Sequence, residues 1–155
     1  MKHLLLTTTL FFAFFTSLVH ASEDYQTLLD STSRYVEFLN QYSFDERGAR
    51  EEAELIFAPS FSKTVNGELS KETPESFLEY MERIKSVLGE WYAQVLSFSV
   101  SPHTQSATIY CLCTTKENKT YIAFMKLHFN EDRQITELTI VYNLYAGRKD
   151  QVHIN

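Results

Sequence analysis

Cysteine occurs only twice in the 155 residues, as Cys111 and Cys113, with four glycines, three prolines and one tryptophan. So few cysteines exclude a disulfide-framed scaffold. In Y-C-L-C-T, two positions along a strand put both thiols on one face with Cα atoms about 6.5 to 7 Å apart. That is the limit of disulfide reach, with unfavourable Cβ directions, so two free, mostly buried thiols are expected. A C-x-C redox or metal pair would want further cysteines or a histidine companion, and the sequence offers neither. No spacing among His3, His20, His103, His128 and His153 suggests a metal site. There is no G-x-S-x-G and no phosphate-binding glycine loop. Neither metal nor cofactor is therefore expected. Basic residues are also in the minority, 14 against 20 acidic, for a net charge of −6. Scattered Lys and Arg on an acidic chain disfavour nucleic acid and anionic membrane as partners, because phosphate binding needs a basic face.

Long apolar runs are confined to the N-terminus. M-K-H, the run L-L-L-T-T-T-L-F-F-A-F-F-T-S-L and V-H-A before S-E-D have the three-part layout of a secretory signal peptide. The apolar stretch of about 15 residues is shorter than the roughly 20 needed to span hydrocarbon. Cleavage after Ala21 is expected, giving a periplasmic or secreted protein with no membrane span. Removing residues 1–21 takes away Lys2 and leaves 134 residues with 13 basic and 20 acidic side chains, a charge of −7. That length suits one domain with one core. We place the domain at 22–147 and a polar tail at 148–155. Asn118 in N-K-T fits a glycosylation acceptor, relevant only in a eukaryotic source.

Helical periodicity comes first. Leu28, Leu29, Tyr35, Val36, Phe38, Leu39 and Tyr42 recur at three and four, predicting an amphipathic helix from Asp24 to Tyr42. Ser43 or Asp45 can cap a second helix through A-R-E-E-A-E-L-I-F, which Pro59 stops near Phe57. A third helix starts with Thr73 as cap and Pro74 at its first position, shows the face Phe77, Leu78, Met81, Ile84, Lys85 and Leu88, and ends at Gly89. The period then changes to alternation. Q-V-L-S-F-S-V-S, S-A-T-I-Y-C-L-C-T-T, T-Y-I-A-F-M-K-L-H-F and Q-I-T-E-L-T-I-V-Y-N-L-Y predict four strands, the last three a meander joined by K-E-N-K and N-E-D-R.

Helices followed by strands predict an α+β fold, with three N-terminal helices packed on a strongly curved antiparallel sheet. Several strands are apolar on both faces: Tyr110 and Leu112 oppose Ile109 and Cys111, while Ile122 and Phe124 oppose Tyr121, Ala123 and Met125. A sheet with one wet face would not read so, and a homodimer through the second face is expected.

The segments S-R-Y-V-E-F-L-N, L-I-F-A-P-S-F, N-G, F-L-E-Y-M-E-R-I-K and F-N-E-D-R-Q-I-T-E-L-T-I-V-Y-N follow an order that resembles the nuclear-transport-factor-2-like superfamily. Ketosteroid isomerases and polyketide cyclases belong to it. The resemblance covers almost the whole chain after Ala21 and rests on loose apolar and turn patterns, which speak for fold more than function. It implies a cone-shaped roll with a pocket, and places S-F-S-K-T-V as a short strand at the pocket mouth with N-G as its turn. It also implies a hydrogen-bonding tyrosine at Tyr35, a base at Val65 or Asn66, and a second acid near Met125. Neither Val65 nor Asn66 can accept a proton usefully, and Met125 is no acid. No catalytic residue is assigned.

Candidate binding residues are Tyr35, Thr64, Asn66, Trp91, Tyr121, Met125, His128 and Glu137. Trp91 and Tyr121 belong to an aromatic-rich half that can line an apolar pocket. Glu137 is read as facing with Ile135, Thr139 and Val141, where a carboxylate would be desolvated, although a cross-strand pair is the commoner role. His128 shares a face with Phe124 and Ile122. The expected function is an exported, non-catalytic module binding a small apolar ligand or a protein partner. The alternative is a cyclase- or isomerase-like enzyme using Tyr35 and an unidentified acid or base.

Overall fold

The computed structural model describes residues 2–145, with side chains from residue 23 onward other than those of 46 and 47. The predicted export signal, 1–21, falls where no side chain is described, and the predicted tail, 148–155, lies outside the described residues. The order is α1 (Lys2–Phe44), α2 (Glu46–Ile56), β1 (Phe57–Val65), β2 (Glu68–Glu72), α3 (Pro74–Leu88), β3 (Trp91–Ser101), β4 (Ser106–Thr115), β5 (Thr120–Phe129) and β6 (Ile135–Leu144). Three helices pack on a six-stranded open sheet, the α+β class expected from the sequence. Among the described residues no helix is long and apolar enough to cross a membrane.

The sheet runs β2-β1-β6-β5-β4-β3 and is mixed, because β1 lies parallel to β6 while every other pairing is antiparallel. The segment around Pro59 is where the sequence reading falls short. A short rim strand was expected, whereas a nine-residue strand forms and a second strand pairs with it. Pro59 sits in the register shift between Phe57 and Ser62, where a residue without an N–H breaks no ladder bond. Asn66 and Gly67 turn the hairpin with φ of 47° and 93°, the positive values that a tight two-residue connection requires. The Asn66 backbone N–H donates to the Ile140 carbonyl, and its side-chain Oδ1 accepts from the Tyr142 N–H, both at 2.9 Å, so the turn is stitched to β6.

The buried face of α1 is Leu28, Thr32, Tyr35, Phe38, Leu39 and Tyr42, the three-four spacing seen in the sequence. It meets an aromatic cluster centred on Phe57, whose ring lies 5.7 Å from Phe38 and 4.7 Å from both Phe61 and Phe77. α1 also protects a sheet edge. The Asn40 amide accepts from Ala93 N at 2.7 Å and donates to Ala93 O at 3.1 Å, and Ser43 Oγ accepts from Trp91 N at 2.6 Å. These two side chains take the place of a seventh strand beside the start of β3, an otherwise unpaired edge.

α3 begins as its sequence predicts. Thr73 and Ser76 form a reciprocal capping box, Pro74 occupies the first turn, and Gly89 ends the helix at φ 69°. Its first turn is anchored by a buried ion pair that no sequence pattern signalled. Lys63 Nζ lies 2.7 Å from Glu72 Oε1 and 3.5 Å from the centroid of the Tyr80 ring, with both ion-pair side chains nearly inaccessible. Ser70 and Ser76 hydroxyls donate to the same carboxylate at 2.8 and 2.5 Å. Burial alone would raise the Glu72 carboxyl, but the hydrogen bonds from Lys63, Ser76 and Ser70 outweigh it and hold it at about 2.

Two outcomes are expected. Lys63→Met leaves a buried carboxylate uncompensated and should lower the urea-unfolding free energy by roughly 3–5 kcal/mol. Because the folded Glu72 value of about 2 lies below the ordinary 4.5, its contribution is complete above about pH 4.5 and is lost as pH falls towards 2. Glu72→Gln should therefore flatten the acid limb of the stability–pH curve, and a slope as steep as that of the parent protein would contradict the assignment.

Candidate functional site

Strand alternation places Ala93, Cys111, Cys113 and Ala123 on the face of the sheet turned towards the helices. Register brings them together: Ala93 lies opposite Cys113, and Cys111 opposite Ala123. Four small side chains in adjacent positions leave a depression that α1 and α3 span but do not fill. The result is a cavity of about 560 Å³, within the size range of small-molecule sites. Tyr35 and Leu39 of α1, one face of α3 from Phe77 to Leu88, and residues of β3, β4, β5 and β6 line it. No Asp, Glu or His is among these lining residues, and Arg83 is the one charged side chain among them.

Tyr35 is fully buried, with its ring edge-on to Phe57, and its hydroxyl donates to the Met125 sulfur at 3.8 Å. A thioether is a weak acceptor, so a ligand oxygen in the cavity would be a better partner for this donor. Burial, with smaller contributions from Cys111 and Tyr80 nearby, drives the Tyr35 phenol well above its ordinary value. Burial likewise pushes the Cys111 and Cys113 thiols up to about 11, so both are neutral near pH 7 and poor nucleophiles. Both are free, as the sequence reading expects. Tyr80 is raised by burial, with Tyr142 and Glu72 adding to the effect and Arg83 opposing it. The site thus combines apolar walls, neutral hydrogen-bond donors and a cationic side chain. None of its lining groups is suited to accept a proton at neutral pH.

Of the residues singled out in the sequence, Tyr35, Trp91, Tyr121 and Met125 line the cavity. Trp91 is buried and stacks on Tyr42 at 6.4 Å, and Tyr121 meets Tyr142 edge-on at 6.2 Å. The other four lie elsewhere. Thr64 pairs with Leu69 and Thr139 within the sheet, and Asn66 spends its side chain on Tyr142 N. His128 and Glu137 sit directly opposite one another, on the sheet face turned away from the helices. Ile135 and Glu137 do not share a face, because the register shifts between His128 and Phe129 and an extra residue, Thr136, inverts the alternation. Ile135 is consequently buried and Glu137 exposed. Sequence reasoning missed Cys111, Cys113, Ala93 and Ala123 as lining residues. The signal was present as small residues alternating along three strands, but it becomes a cavity only once the registers are known. Among the described residues no group of three His, Cys, Asp or Glu side chains is arranged to hold a metal ion.

No family model and no curated protein matches the chain. Solved structures do. An Agrobacterium tumefaciens protein assigned as an isomerase of the SnoaL-like family superposes with a TM-score of 0.61 at 9% identity, covering 76% of this chain and 98% of that one. IdmH of Streptomyces antibioticus, assigned as a polyketide cyclase, gives 0.61 at 11% identity, with 75% and 91% covered. An NTF2-like protein of unknown function from Exiguobacterium sp. 255-15 gives 0.59 at 13% identity, with 73% and 98% covered. At such identities the likeness concerns architecture, and it agrees with the resemblance read from the sequence. The chain has the nuclear-transport-factor-2-like fold.

Proposed function

We propose that the protein is an exported, non-catalytic module that binds a small, largely apolar molecule in the cavity between α3 and the sheet. One observation carries this reading. A cavity of ligand size is walled by apolar and aromatic side chains, offers the Tyr35 hydroxyl as a donor to a thioether, and has no carboxylate or imidazole among its described lining residues. The export assignment comes from the sequence of residues 1–21 alone. A cyclase- or isomerase-like role would give Tyr35 the part of a hydrogen-bond donor, but would need a base supplied from outside the lining.

Binding is tested with the neutral fluorescent probe N-phenylnaphthylamine. Saturable binding is expected, and Ala123→Leu, which adds bulk to the cavity floor, should weaken it at least about fivefold. Equal affinity in the two proteins, or none in either, would overturn the reading. Turnover of a cyclised or isomerised substrate that disappears in Tyr35→Phe would favour the enzymatic role instead. The thiols supply a second readout. Alkylation of Cys113 should be slow at pH 7, accelerate towards its value of about 11, and slow further when the probe is bound.

We further infer that two copies associate through the outer face of the sheet. Tyr110 stacks on Phe124 at 4.5 Å there, and Phe124 and Val141 remain about half exposed, at 51% and 53%. Together with Leu112 and Ile122 they make an apolar face that water covers poorly. Sedimentation at micromolar concentration should give a dimer, and Phe124→Glu a folded monomer. A monomer mass for the unmodified protein would sink this inference.

A further inference from the structure

The cavity has two chemically different ends. At its buried end stand Tyr35 and Met125, one fully enclosed and the other nearly so. Its solvent end is marked by Arg83 and Tyr142, both exposed, with the half-buried Tyr80 beside them. Among the described lining residues Arg83 is the only charged one. It enters none of the ion pairs among the described residues, although Glu79 lies one turn earlier on α3, within ordinary helical pairing reach. Its guanidinium is close enough to Tyr80 to act on that phenol electrostatically. Tyr80 is in turn fixed from behind by the Lys63 ammonium, 3.5 Å from its ring centroid.

We propose that the natural ligand is an amphipathic acid, an apolar body carrying one anionic group. Its body lies against Ala123 and Met125, and its carboxylate, sulfonate or similar oxyanion lies at Arg83, with the Tyr80 and Tyr142 hydroxyls as further donors. A guanidinium offers a planar fork that matches an oxyanion. The surrounding chain is acidic overall, at −6, so selection of an anion has to come from this local group and not from the general field. A purely neutral ligand would leave the Arg83 charge unused. A ligand with a cationic end would meet Arg83 as a repulsion.

This assignment rests on the reading of the cavity as a small-molecule site, and the test separates the two. N-phenylnaphthylamine and anilinonaphthalene sulfonate share an arene skeleton and differ by the sulfonate. Each is titrated into the parent protein and into Arg83→Gln, with near-ultraviolet circular dichroism to confirm that both proteins are folded. The sulfonate probe should bind the parent protein more tightly than the neutral one. It should lose about fivefold or more in Arg83→Gln, while the neutral probe changes by less than about twofold. Its affinity for the parent protein should also weaken as salt rises, and that salt dependence should shrink in the variant. If the neutral probe binds and the sulfonate probe gains nothing from Arg83, the acid assignment falls and the cavity reading stands. If neither probe binds the parent protein, both fall.

Discussion

Ala93, Cys111, Cys113 and Ala123 occupy neighbouring positions on the inner face of the sheet, and the cavity depends on that coincidence of registers. Protein interiors are normally packed to near-crystalline density. Here the facing elements cannot close the gap. α1 is held at a fixed height by Asn40 and Ser43 on the edge of β3, and α3 is held by its first turn against the β1–β2 hairpin. With both helices pinned, small side chains on the sheet translate directly into empty volume, and the neutral Tyr35, Cys111 and Cys113 groups are stranded along its wall.

The Lys63–Glu72 pair acts at the junction of the hairpin and the wall helix. A buried ion pair is weak evidence of net stability, since desolvation offsets most of its attraction. Its geometric effect is clearer. Glu72 collects Lys63, Ser70 and Ser76, which joins β1, β2 and the start of α3. Lys63 then lies over Tyr80, a residue of the cavity wall. The pair therefore fixes the wall helix and one of its aromatic side chains at once, leaving the rest of α3 to bridge the cavity.

The two faces of the sheet divide the work. Inward residues of β4 and β5 are nearly all buried, whereas Tyr110, Leu112, Ile122 and Phe124 point outward and remain partly open to water. Bulges decide which side chain goes where. The shift at Thr136 sends Glu137 outward to face His128, and neither of these two candidates from the sequence is among the cavity's lining residues.

Caps and tight turns were legible in the chain. Thr73 and Pro74 announced the start of α3, Gly89 its end, Asn66 and Gly67 the tight turn, and the alternation of Y-C-L-C-T two free thiols on one face. Such features depend on residues within a few positions of each other, so composition and spacing determine them. The order of helices and strands was enough to suggest the fold. Tertiary structure decided the rest: the parallel contact of β1 with β6, the Lys63–Glu72 pair, the single extra residue that turns Glu137 outward, and the row of small side chains beneath α3. Each depends on register between segments distant in sequence, and a one-residue shift in register exchanges the inside of a sheet for its outside.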